Sequence, residues 1–118
     1  HLKNFGMVRG SRISPVKDAL DAGLKYNFHT DTPVVKPDML HSVWTAVNRI
    51  SRGGVVVGEA QKIGVYDALK GVTINAAYAY FEEDSKGSIK AGKRADLVVL
   101  SDSLLSVDYH SALPNQRY

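Results

Sequence analysis

Asp31 and His29 are the residues of this sequence best placed to do chemistry. Both lie in the run His29-Thr30-Asp31-Thr32-Pro33-Val34, which follows Leu24-Lys25-Tyr26-Asn27-Phe28. An ionised carboxylate carries lone pairs that can ligate a metal or take a proton from water. The stretch Leu24–His29 alternates apolar and polar residues, which predicts a strand. Residues two apart on a strand share a face, so His29 and Asp31 can converge on one site. A carboxylate where a strand runs out into a loop occupies the position that α/β barrels and open α/β sheets use for their active groups. The structural alternative is equally simple. Asp before Thr-Pro can form an Asx-turn, and a histidine at a strand end can be packed or hydrogen-bonded there.

The remaining candidates point away from several chemistries. His41 falls in the first turn of an expected helix and reads as structural, while His1 and His110 lie near the ends. There is no His-x-His pair and no His-Glu-x-x-His, and a hydrolytic metal site needs roughly three protein ligands plus an open position. Asp96 is expected to orient a turn, and Glu82-Glu83-Asp84 to be a solvated run. Tyr78, Tyr80 and Phe81 read as packing residues. Arg52-Gly53-Gly54 lacks the spacing and the Lys-Ser/Thr of a phosphate-binding loop. Ser11, Ser14 and Ser42 lack the Gly-x-Ser-x-Gly context of a serine hydrolase. With no cysteine, disulfides, thiolate catalysis and Cys-based zinc sites are excluded.

The elements that must hold these residues can be read from the pattern. Residues 1–13 show no strong period and read as a connection. Ser14 is an expected N-cap with Pro15 at the first helical position, and Val16, Ala19 and Leu20 share a face before Gly23 stops the helix. Asp38 caps a second helix whose Leu40, Val43, Trp44 and Val47 form an apolar stripe, with Gly53-Gly54 as its end. Val55-Val56-Val57 reads as loop or a brief strand. Further helices are expected from about Tyr66 to Lys70 and from an N-cap at Asn75. Lys90-Ala91-Gly92-Lys93 reads as a turn with Gly92 at positive φ. Leu97-Val98-Val99-Leu100 reads as a buried strand. The first two-thirds alternate helix, strand and helices, and the last third reads as β-rich, with a soft boundary near residue 84.

Composition sets broad limits. The chain has 118 residues, 44% hydrophobic and 23% charged, the balance of one globular domain. Its net charge of +3 comes from scattered Lys and Arg, which points away from nucleic acid. No apolar run approaches the ~20 residues needed to span a membrane. The N-terminus has no signal-peptide apolar region, so the expected location is cytoplasmic.

Several of these runs resemble the C-terminal part of the metal-dependent amidohydrolase superfamily, in its amidohydrolase family 3 branch. The run Gly87-Ser88-Ile89-Lys90-Ala91-Gly92-Lys93-Arg94-Ala95-Asp96-Leu97-Val98-Val99-Leu100 carries the resemblance most strongly. Ala68-Leu69 followed by Thr73-Ile74-Asn75-Ala76-Ala77 adds to it. So do Ile13-Ser14-Pro15, the His29–Val34 run, and Ala46-Val47-Asn48-Arg49. The resemblance implies an α/β fold: residues 1–84 as the C-terminal strand and helices of a (β/α)8 TIM-type barrel, and 85–118 as the start of an incomplete β-sandwich. It implies a hydrolase of non-peptide carbon–nitrogen bonds, such as amides or formamides, with a divalent metal, zinc in this reading, and a small-molecule substrate. Asp31 matches the family's strand-end aspartate, which touches the metal and acts as general base. His29 matches no ligand of the family and is left as a residue that would support Asp31. The family's other ligands would lie upstream of His1, and a full barrel takes ~250 residues. The chain is therefore expected to be an excerpt that does not complete an active site alone. The alternative is a catalytically inactive unit with a structural or self-associating role.

Overall fold

Helices satisfy their own backbone hydrogen bonds, whereas a strand needs a neighbour. That asymmetry decides what this chain builds. The computed structural model describes residues 2–106. It contains α1 (Leu2–Gly10), α2 (Val16–Asp21), α3 (Met39–Asn48), a single 3-10 turn at Glu59–Gln61, α4 (Val65–Val72) and α5 (Ile74–Ala79). Among the described residues, the only β pairing noted outside helices is one antiparallel bridge between Ile50 and Val56.

The expected α/β architecture is therefore not found. No sheet, barrel or sandwich forms among the described residues. Leu24–His29 is not a strand, nor is Leu97–Leu100. Leu97, Val98, Val99 and Leu100, expected to be buried, are exposed, Val99 to 96%. The described residues bring no strand alongside either segment to take up its N–H and C=O groups. The opening segment also differs from expectation. It is helical, with a break at Gly6, where φ is +72°.

The core forms where α3 meets α4. Val43 is fully buried, and Val16, Ala46, Val47, Ile63 and Ala68 cluster with it. Removing each of the valine and isoleucine side chains from water contributes on the order of 1.5–3 kcal/mol, and each alanine methyl about 0.8 kcal/mol. The α3 stripe is thus real, although Leu40 at its start stays partly exposed. Asp38 caps the helix as expected, its Oδ1 accepting the His41 N–H at 3.0 Å. The helix ends at Asn48, short of the glycines, because Arg49 turns into the left-handed region at φ +58°.

Two long-range side chains fasten α2 to this core. Ser14 is not its N-cap; Pro15 holds that position and has no side-chain acceptor. Gln61, from the 3-10 turn, serves instead. Its Oε1 accepts from the Lys17 and Asp18 N–H groups at 3.1 and 3.2 Å, and its Nε2 donates to Asp18 Oδ1 at 2.7 Å. Arg49 donates to three carbonyls, those of Ile13, Ser14 and Val57. Burial pushes its guanidinium below the usual pKa. Gly58 must lie beside it: a Cβ there would sit 1.8 Å from the Ser11 carbonyl oxygen. At its other end α2 stops as the sequence predicts. Gly23 takes φ +70°, its N–H bonds Leu20 O, and the Leu24 N–H reaches back to Ala19 O.

α4 runs two residues further than expected, and α5 starts one residue before Asn75, with Thr73 as N-cap. The Lys90–Lys93 turn forms with Gly92 at φ +87° and the Lys93 N–H bonded to Lys90 O at 3.2 Å. No helix among the described residues is long and apolar enough to cross a membrane.

Candidate functional site

The segment leading to Asp31 is neither helix nor strand and is held against α4 by its aromatic residues. Tyr26 and Phe28 are half-buried against the core, while Lys25, Asn27 and His29 are exposed. The period of two read from the sequence therefore survives at Tyr26 and Phe28, although Leu24, on the same expected face, is exposed. The Tyr26 hydroxyl donates to Asp67 O at 3.1 Å. Burial, followed by the nearby Asp67 charge, raises the pKa of that phenol, and Lys70 partly offsets the rise. Phe28 lies on Gly71, where an added Cβ would approach its ring to 2.6 Å. A side chain at Gly71 would thus lift the segment that leads into Asp31.

Beyond Phe28 the chain turns sharply. Asp31 adopts φ +54°, a left-handed conformation that aspartate tolerates better than most residues. Its N–H donates to Nδ1 of His29 at 3.1 Å. Its carbonyl accepts from the Val34 N–H at 2.8 Å, closing a turn that contains the cis Thr32–Pro33 peptide. Thr32 Oγ1 donates to Val35 O at 3.2 Å. Its one proton is thereby used, so the 2.9 Å contact with Thr30 Oγ1 has Thr30 as donor. The backbone of Asp31 is thus bonded on both sides. Its carboxylate is exposed and makes no hydrogen bond or ion pair with the described residues.

His29 and Asp31 are adjacent as expected, but through the aspartate's backbone rather than its side chain. The other sequence candidates stay apart from them. His41 stacks on Trp44, with centroids 5.8 Å apart, and its N–H serves the Asp38 cap. Tyr78 carries the Lys25 ammonium 3.5 Å above its ring. Glu82 pairs with Lys86 at 2.5 Å, and Asp96 is exposed. His1 and His110 lie outside the described residues. Gln61, Arg49 and Gly71 were not singled out for positioning from sequence, because their partners lie tens of residues away. The His29 contact did have a local signal: an acceptor side chain two residues before the donor N–H is Asx-turn spacing.

The chain belongs to the amidohydrolase family, in its family 3 branch: the family's model matches residues 2–114. It is 36% identical over 101 residues to an N-substituted formamide deformylase of Arthrobacter pascens, covering 81% of this chain and 19% of that protein. It is 41% identical over 73 residues to the protein LONG AFTER FAR-RED 3 of Arabidopsis thaliana, covering 61% of this chain and 12% of that one. It is 29% identical over 102 residues to a 5-methylthioadenosine/S-adenosylhomocysteine deaminase of Moorella thermoacetica, covering 85% of this chain and 23% of the relative. The chain thus spans less than a quarter of these relatives' lengths. No solved structure matches it.

The family is generally metal-dependent. The described residues do not by themselves suit a metal: no group of three or more His, Cys, Asp or Glu side chains among them could hold an ion. The Asp31 carboxylate has no partner among the described residues, but His29 beside it already spends its Nδ1 lone pair on a backbone N–H.

Proposed function

We propose that the protein hydrolyses non-peptide carbon–nitrogen bonds, in amides or formamides, with Asp31 as general base. The observation that carries this reading is a free, exposed carboxylate on a turn whose backbone is bonded on both sides. A structural Asx-turn aspartate would spend its carboxylate on the chain, and this one does not. The names of the formamide deformylase and deaminase relatives support the bond class. In the reaction, water oxygen attacks the carbonyl carbon while Asp31 takes the water proton. The carbon–nitrogen bond then breaks, and that proton passes to the leaving nitrogen, giving acid and amine. A divalent metal, zinc on the family resemblance, belongs to the proposal only as an ion that Asp31 would touch. The described residues hold no complete donor set for such an ion.

In the active protein, Asp31→Asn is expected to lower turnover by about 10²–10⁴-fold, the range for a lost general base. Helical circular dichroism should stay unchanged, because the backbone bonds of the turn do not involve the carboxylate. Full turnover in that variant would overturn the assignment.

A second, non-catalytic reading, a structural or self-associating unit, is favoured by the exposed run Leu97–Leu100. An apolar segment whose backbone groups find no partner among the described residues is a template for pairing with another copy. Light scattering on the 12.9 kDa chain should then give a mass that rises with concentration. A constant monomer mass would rule this reading out.

A further inference from the structure

The Asp31 turn depends on a side chain to which the family resemblance attaches no role. Asp31 N–H has one acceptor, Nδ1 of His29, at 3.1 Å. Asn and Asp side chains commonly accept from the N–H two residues on, and here an imidazole does the same. With Nδ1 accepting, the neutral ring carries its proton on Nε2. Asp31 sits at φ +54°, a conformation that costs a non-glycine residue energy unless its surroundings hold it. The Val34 bond holds the carbonyl side of the residue, and His29 holds the amide side. The direction in which a side chain leaves the backbone follows φ and ψ, so the two bonds together fix where the carboxylate starts.

We infer that His29 is a positioning residue for Asp31, acting through its Nδ1 on the aspartate's backbone N–H. The functional half of this inference rests on the reading of Asp31 as general base; the structural half does not. Two substitutions separate the ring from its acceptor. His29→Asn places an amide oxygen close to where Nδ1 stands and keeps the turn. His29→Phe keeps a ring of similar shape and removes the acceptor.

Amide hydrogen exchange at Asp31, measured on the full chain, should be about tenfold faster in His29→Phe and within about twofold of the parent in His29→Asn, the scale of one hydrogen bond. In a long-range nitrogen–proton correlation spectrum, the neutral His29 ring should show its proton on Nε2. In the active protein, His29→Phe should lower kcat by about tenfold with KM within about twofold, and His29→Asn should restore most of kcat. The inference fails if the ring proton is found on Nδ1, if Asp31 exchanges equally in both variants and the parent, or if Asn and Phe lower kcat alike. It is distinguishable from failure of the base assignment. An active Asp31→Asn variant would remove the catalytic reading, while the exchange and tautomer results would still decide whether His29 holds the turn.

Discussion

Val43 and Val99 are the same residue type in two regions of opposite fate. Val43 is 0% exposed, and Val99 is 96% exposed. Both lie in apolar runs from which the sequence predicts burial. Val43 belongs to α3, a helix that bonds its own backbone and needs only a surface for its stripe; α4 supplies that surface. Val99 belongs to a run of strand-like composition that needs a partner strand for its backbone before its side chains can be covered, and the described residues offer none. Local pattern predicts burial well when an element is self-sufficient, and poorly when it depends on a neighbour far away in sequence.

Mutations can break that comparison. The larger effect is expected at Val43. Val43→Ala should destabilise the fold by about 2 kcal/mol, from lost methyl groups and the cavity left behind, measured as a lower urea midpoint. A smaller loss would mean that the α3–α4 core collapses around the gap. Val99→Lys should change folding stability by less than about 0.5 kcal/mol, as for an exposed position. It should also reduce any concentration-dependent mass in light scattering, because a charge on an exposed strand blunts pairing. A Val99→Lys variant destabilised as much as Val43→Ala would show that the run is buried in solution.

The candidate site shows the same division on a smaller scale. Asp31 and His29 were legible as neighbours, because their spacing suits one face or one turn and short-range geometry depends on few residues. The period-two burial of Tyr26 and Phe28 was legible too, since alternation belongs to any extended backbone. The expected form of the His29–Asp31 pair was not what folded. The side chains were expected to converge from a strand, and instead the histidine caps the aspartate's backbone in a left-handed turn. Nor could the pattern reveal what holds the segment in place. Phe28 rests on Gly71, and Tyr26 bonds Asp67 O, 41 residues away. Gln61 caps α2 from 44 residues downstream, a task the sequence reading gave to Ser14.

The sequence by itself determined the family, the α3 stripe with its Asp38 cap, the Gly23 and Gly92 turns, and Asp31 as the residue to test. Each rests on a run of neighbouring residues whose own geometry suffices. Tertiary structure alone decided that Leu24–His29 and Leu97–Leu100 find no strand partner among the described residues. It also decided that Arg49 and Gln61 tie α2 to the core, and that the Asp31 carboxylate is left free. Strand pairing, long-range caps and the freedom of a side chain all depend on which distant atoms arrive beside a residue, and no local pattern carries that information.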